Sequence, residues 1–173
     1  MNNSSMNHFD KLEAVMQRAL GLGVPVDEDQ IKIILLNKYN ARLQKRLLEK
    51  VLHGFQLSEP EYLTLMVVAG SPEGRTTPSE IGELIGESRT NVTRICNVLC
   101  EKSLIQREVS PTNRRMVDIT LSEKGLATLT EVVNHASRIR NDIFKRIPQD
   151  LKPQIIAQLL QTKKFLEDTL EGM

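Results

Sequence analysis

The sequence predicts a mainly α-helical fold with one small β-hairpin, on three observations. Apolar residues recur at helical spacing along most of its 173 residues. Strand-like stretches are confined to residues 104–109 and 116–121, on either side of the turn-forming Ser110-Pro111-Thr112-Asn113. Residues 77–121 as a whole run short helix, tight turn, second helix, hairpin. That order is a winged helix-turn-helix. It occupies residues 58–121. The apolar stripes of the flanking helices, residues 1–57 and 122–173, can be satisfied within one chain or across a two-fold axis, and dimerisation through both termini is the expectation.

Taken in order, residues 1–7 are polar and frayed. Phe9, Leu12, Val15, Met16, Ala19 and Leu20 then fall at helical spacing, and Gly21, Gly23 and Pro25 end that helix. Asp27 and Asp29 offer caps for a long helix through Ile31, Ile34 and Leu35 to Leu52, with Gly54 as its stop. Ser58 caps the next helix, whose first turn holds Pro60 and Glu61 and whose apolar body runs from Tyr62 to Ala69. Residues 70–74 (GSPEG) are a loop.

Thr77-Pro78-Ser79-Glu80 is a capping box with proline at the first helical position. Ile81, Leu84 and Ile85 are expected to face the core, and Gly86 to make the sharp turn. Ser88 caps the second helix. Beyond the hairpin, Ser122 caps a long helix with a stripe of Leu126, Leu129, Val132, Val133, Ala136, Ile139, Ile143 and Ile147. A last helix carries Ile155, Ile156, Leu159, Leu160, Leu166 and Leu170. Pro153 is tolerated in its first turn if Asp150 is the cap, because N–H groups there have no intrahelical partner to lose.

Composition excludes several classes. Hydrophobic residues make up 40% of the chain but aromatics only 3%, so the core is built from Leu, Ile and Val. No apolar run approaches the roughly 20 residues that span a bilayer. The start lacks a basic segment followed by an apolar one, so no signal peptide is expected and the cytoplasm is the expected compartment. A net charge of +1 says nothing for nucleic acid, but its distribution does. Six basic residues face two acidic ones between Ser88 and Arg115, and six face only Glu49 between Ile31 and His53.

The second helix of the module sorts into two faces. Val92, Ile95, Cys96 and Leu99 form the buried stripe. Thr90, Thr93, Arg94 and Asn97 lie opposite, with Ser88, Arg89 and Asn91 at the N-terminal edge. Arginine forks to guanine O6 and N7, asparagine to adenine N6 and N7, and threonine meets the thymine methyl. A merely solvated face would carry more Glu and Lys. At the hairpin tip, Arg114 and Arg115 suit a narrow minor groove, whose negative potential attracts arginine. Double-stranded DNA is the partner these residues imply. The rival from another class is a winged-helix protein-interaction module that does not read DNA. Such a surface would show aromatic or aliphatic anchors on the same helix.

The run SRTNVTRICNVLCEKSLI, the paired arginines of the wing and ITLSEKG together resemble the MarR family of bacterial transcription regulators. The S-R-T-N-x-T-R-I segment most resembles its EmrR/MprA branch, whose members repress multidrug efflux genes. The resemblance is firm from about Leu57 to Leu129 and architectural outside it. It implies an obligate homodimer with interwoven termini, and a repressor relieved by a small aromatic or lipophilic effector. An activator or anti-silencer of the same fold is the alternative within regulation. It also implies that Arg89, Thr90, Asn91 and Arg94 face the major groove and that Arg115 reaches the minor groove. Tyr39 and Met66 are candidates for the effector pocket, and core packing explains them equally well. Where the family wing reads D-P-x-D-R-R, this chain has Ser110 and Asn113, so neutral acceptors replace the acidic brace.

Cys96 and Cys100 stand one helical turn apart. Some relatives sense oxidants through cysteine, but Cys96 belongs to the buried stripe, where cysteine is a common packing residue. His8, His53 and His135 are scattered, with no partner at metal-ligand spacing. No phosphate loop or nucleophile motif is present, so neither a cofactor nor an enzyme is expected.

Overall fold

The computed structural model describes residues 8–20, 27–109 and 117–173. Among them are seven α-helices: α1 (His8–Leu20), α2 (Glu28–His53), α3 (Glu59–Gly70), α4 (Pro78–Ile85), α5 (Arg89–Glu101), α6 (Glu123–Phe144) and α7 (Leu151–Glu171). Three short strands accompany them: β1 (Arg75–Thr76), β2 (Ile105–Val109) and β3 (Val117–Leu121). The chain divides into two compact units, Met1–Thr64 and Leu65–Met173.

In the first unit α1 packs on α2, with the rings of Phe9 and Tyr39 tilted at 55° and 5.5 Å apart. The Lys32 ammonium lies 3.5 Å from Glu13. Asp27 caps α2, accepting from the backbone N–H of Asp29 at 2.9 Å and of Gln30 at 3.3 Å. Gly54 ends α2 as expected, but with a right-handed φ of −63°. The left-handed residue that turns the chain is Gln56, at φ 55°. Ser58 and Glu61 form a reciprocal capping box at the start of α3, the Glu61 carboxylate accepting from the Ser58 N–H at 2.7 Å. Buried Thr64 satisfies its hydroxyl by donating to the Pro60 carbonyl at 2.8 Å.

In the second unit a three-stranded antiparallel sheet runs in the order β1-β3-β2. The hairpin register pairs Ile105 with Leu121 and Val109 with Val117. Strand β1, too short for any alternation to reveal it, pairs Arg75 with Thr120 and Thr76 with Ile119. From there Arg75 reaches Glu108 of β2 in an ion pair of 2.9 Å. Helix α4 packs on α5, α5 on β2, and both α4 and α6 on β3. The core of this unit is aliphatic, with Leu65, Val68, Ile81, Val92, Leu99, Ile119 and Val132 wholly buried.

Several sequence expectations need correction. Leu84 is 67% exposed rather than facing the core, because only Ile81 of α4 is fully enclosed by α5 and the sheet. Leu126 and Ile143 likewise stand exposed on α6, while Leu129, Val132 and Ala136 carry its burial. Leu104 does not join the strand; β2 starts one residue later, and the Leu104 carbonyl accepts from Ser122 instead. Asp150 occupies the cap position of α7, but its side chain makes no capping hydrogen bond. No residue of α7 is buried within the protomer. The expected frayed start at residues 1–7 and the Gly21, Gly23 and Pro25 break lie outside the described residues, as do the side chains of Ala19 and Leu20.

Candidate nucleic-acid interface

Local chemistry places α5. Thr77 and Glu80 close the capping box of α4: the Thr77 hydroxyl accepts from the Glu80 N–H at 3.3 Å, and Glu80 Oε2 accepts from the Thr77 N–H at 2.9 Å. The Thr76 hydroxyl adds a third bond, to the same carboxylate oxygen, at 2.8 Å. These donors, the Thr77 backbone N–H first, hold the Glu80 carboxyl below its ordinary value of 4.5. Gly86, at φ 71°, then takes the left-handed conformation that ends α4, and the Glu87 N–H returns to the Gly82 carbonyl at 3.0 Å. Gly82 lies at the crossing with α5; a methyl group there would stand 3.2 Å from Val92 Cγ2. The sequence reading did not single it out.

Ser88 caps α5 by accepting from the Asn91 N–H at 3.3 Å. Val92, Ile95, Cys96 and Leu99 are buried. Arg89, Thr90, Thr93, Arg94 and Asn97 are exposed on the other side, and Asn91 is half-buried between the two faces. The expected face therefore exists as a contiguous polar surface. Its amides are engaged within the protein. Asn91 Nδ2 donates to Glu87 Oε2 at 2.6 Å, while Asn91 Oδ1 accepts from Arg94 Nε at 3.1 Å and from Nη2 at 2.8 Å. Asn97 Oδ1 accepts from Arg107 Nη2 at 2.6 Å. Among the described residues, neither Arg89 nor Arg94 forms an ion pair with a carboxylate.

Besides Gly82, the sequence did not reveal the roles of Arg107 and Glu87 in this polar network. Arg107 is on β2, ten residues beyond Asn97, and the two meet because the chain turns after α5 and lays β2 back along it. Glu87 precedes the Ser88 cap, so its reach to Asn91 depends on the turn between α4 and α5 and not on helical spacing. Cys96 is enclosed, and burial pushes its thiol above the ordinary 9.0, with neighbouring Arg107 opposing that rise and Cys100 adding to it. Cys96 and Cys100 are both free thiols.

Arg114 and Arg115, together with Ser110 and Asn113, lie outside the described residues, so the wing is seen only to Val109 and from Val117. Of the two candidate effector residues, Tyr39 packs on Phe9 in the first unit and Met66, in the second, is 41% exposed. On α2, Arg46, Glu49, Lys50 and His53 line a shallow, open concavity of about 350 Å³. His135 is exposed, and the His8 side chain lies outside the described residues. Among the described residues no three His, Cys, Asp or Glu side chains gather where they could hold a metal ion. No described helix is long and apolar enough to cross a membrane.

Known proteins place this geometry in context. A model of the MarR family matches residues 53–116. The transcriptional repressor MprA of Escherichia coli strain K12 is 30% identical over 149 residues, which covers 81% of this chain and 85% of that protein. Among solved structures, AbsC, a MarR family transcriptional regulator from Streptomyces coelicolor, superposes with a TM-score of 0.70 at 23% identity, covering 87% of this chain and 99% of its own. A cysteine-to-serine mutant of E. coli MarR, solved in complex with operator DNA, gives 0.64 at 18% identity over 80% of this chain and 98% of its own.

Proposed function

The chain belongs to the MarR family of transcriptional regulators, and from that premise we propose that it is a ligand-relieved repressor that reads a pseudo-palindromic DNA site as a homodimer. The observation that carries this reading is the exposed face of α5. Arg89, Thr90, Thr93, Arg94 and Asn97 stand there without one aromatic or aliphatic anchor, opposite a fully buried stripe. That surface suits base edges and phosphates and is poorly made for a protein partner.

In this reading Ser88, as cap, and Arg89 fix the helix N-terminus near the backbone phosphates. Thr90, Thr93 and Arg94 meet base edges, while Asn91 and Asn97 hold their neighbours in place. Arg114 and Arg115 would supply the minor-groove contact of the wing. Residues 58–121 act as the DNA-binding part, and residues 1–57 and 122–173 as the dimerisation part. The exposed apolar residues of α7 and α6 support dimerisation, since such contiguous surface is seldom left in water. Two half-sites about one turn of DNA apart, ~34–36 Å, would then match two copies of α5.

The resemblance of the S-R-T-N-x-T-R-I run points to efflux or stress genes as targets, and to a small aromatic or lipophilic effector. Tyr39 in the first unit and Met66 in the second are each residues to probe for effector binding. A coupling of ~1–3 kcal/mol between effector and operator weakens DNA binding about 5- to 150-fold.

The test is fluorescence anisotropy of the protein on its own upstream DNA and on scrambled DNA, at two salt concentrations. Preference for the upstream duplex that persists at the higher salt is the expected result. Equal binding to both duplexes that vanishes with salt would reduce the interaction to charge attraction. No binding at either salt would favour the protein-interaction module.

A further inference from the structure

Glu87 is an acidic residue at the edge of a surface built to approach a polyanion, and the hydrogen-bond geometry gives it a purpose there. We infer that Glu87 is a positioning residue which, through Asn91, sets the guanidinium of Arg94 for reading a base. The inference rests on the DNA-reading role of α5 proposed above.

The chain of contacts is continuous. Glu87 Oε2 accepts from Asn91 Nδ2 at 2.6 Å. Asn91 Oδ1 accepts from both Nε and Nη2 of Arg94, at 3.1 Å and 2.8 Å. Asn91 and Arg94, three residues apart, share one side of the first two turns of α5, and Glu87, one residue before the Ser88 cap, meets Asn91 from the turn that follows α4.

The chemistry makes each link directional. An amide has one acceptor end and one donor end, and nothing in its shape decides which way it points. An ionised carboxylate only accepts, so Glu87 draws the NH2 of Asn91 toward itself and turns Oδ1 toward the arginine. Reversed, the amide would set N–H donors against the N–H donors of Arg94. With Oδ1 in place, the Nε–Nη2 edge of the guanidinium is occupied. Among the described residues nothing takes Nη1, so the end-on fork of Nη1 and the second Nη2 proton is the edge left for a partner. That fork is the one that fits two acceptors side by side, as guanine O6 and N7 present them. Side-chain freedom that an unrestrained arginine would lose on docking is already lost in the free protein.

Glu87 also bears a charge of the same sign as phosphate, which opposes sequence-independent attraction. Removing it therefore has two separable consequences. Discrimination between sequences should fall because Arg94 is released, while attraction to any duplex should hold or rise because a negative charge is gone. A merely structural carboxylate near a helix N-terminus would change both alike, through folding.

The experiment uses the full chain and duplexes that the wild-type protein enriches from a random pool, compared with scrambled duplexes by anisotropy at two salt concentrations. Glu87→Ala is expected to weaken binding to the selected duplex by about tenfold, within the range for one lost base contact. Its binding to scrambled DNA should stay equal or tighten. The lost discrimination should fall at the base pair that Arg94→Ala also relaxes, and the double variant should be no worse than Arg94→Ala alone. Glu87→Gln keeps an acceptor without the charge and should restore discrimination while binding both duplexes more tightly. Asn91→Ala breaks the relay at its middle and serves if Glu87→Ala fails to fold; the same loss at the same base pair is expected. Additive effects of Glu87→Ala and Arg94→Ala, or wild-type discrimination in Glu87→Ala, would overturn the inference and leave the DNA-reading role standing. A wild-type protein that enriches no sequence would overturn both.

Discussion

Asn91 and Asn97 carry the same amide on the same helix, and each is held by an arginine that arrives from a different direction. Arg94 sits three residues from Asn91, so that contact follows from helical spacing and was open to a sequence argument. Arg107 meets Asn97 only because β2 turns back along α5, and no local pattern announces it. The same return puts Arg107 beside Cys96, whose thiol is nonetheless pushed above its ordinary value because burial outweighs the nearby charge. A raised thiol pKa favours the neutral form in the folded protein. Its contribution to stability is therefore complete below the unfolded value and is lost as pH rises through the folded one. At neutral pH Cys96 is a packing residue and a poor nucleophile, which weighs against an oxidant-sensing role. In a Cys100→Ser protein, iodoacetamide should modify Cys96 more slowly in the native state than in denaturant, since burial both shields the thiol and favours its neutral form. Comparable rates in the two states would restore Cys96 as a candidate sensor.

At the scale of the element, the turn chemistry was readable and the close approaches were not. Thr77, Pro78 and Glu80 announced a capping box, and the structure contains it with both reciprocal bonds. Thr77→Ala should lower stability by about 1 kcal/mol, measured as a shifted urea midpoint. Glu80 adds a pH dependence with a definite sign. Its folded pKa is lowered, so its contribution is present above the ordinary carboxylate value of 4.5 and is lost as pH falls through the folded value. Glu80→Gln should flatten the acid side of the stability profile, and an acid limb identical to wild type would remove Glu80 from that account.

Gly125 belongs to the other kind of feature. A methyl group there would stand 1.9 Å from the Leu104 carbonyl oxygen. That oxygen already accepts from the Ser122 N–H, while the Ser122 hydroxyl donates to the Ser103 carbonyl and Lys124 Nζ to that of Lys102. These bonds tie the end of α5 to the start of α6. Gly125→Ala should cost about 1–3 kcal/mol by overpacking against backbone that cannot give way, and an unchanged unfolding midpoint would show that this corner relaxes.

For the whole molecule, the decisive observation is apolar surface that the protomer leaves in water. Leu159 is 54% exposed and Leu166 is 61% exposed on α7, which has no buried residue. Because neither supports the protomer core, Leu159→Lys/Leu166→Lys should leave folding intact while shifting sedimentation from dimer toward monomer and weakening binding to two-half-site DNA. An unchanged mass would move the dimer contact off this face. Periodicity, caps and turn residues let the sequence by itself determine the helices, the hairpin and the two faces of α5, since each depends on contacts a few residues apart. It determined equally that α7 is amphipathic, because a stripe at i, i+4 and i+11 survives in any surroundings. Only the tertiary structure decided that β1 pairs with β3, that Leu84 and Leu126 stay outside the core of the protomer and that Arg107 braces Asn97. Those outcomes depend on which segments meet across the fold, and residue spacing along a chain carries no information about that meeting until the chain has closed on itself.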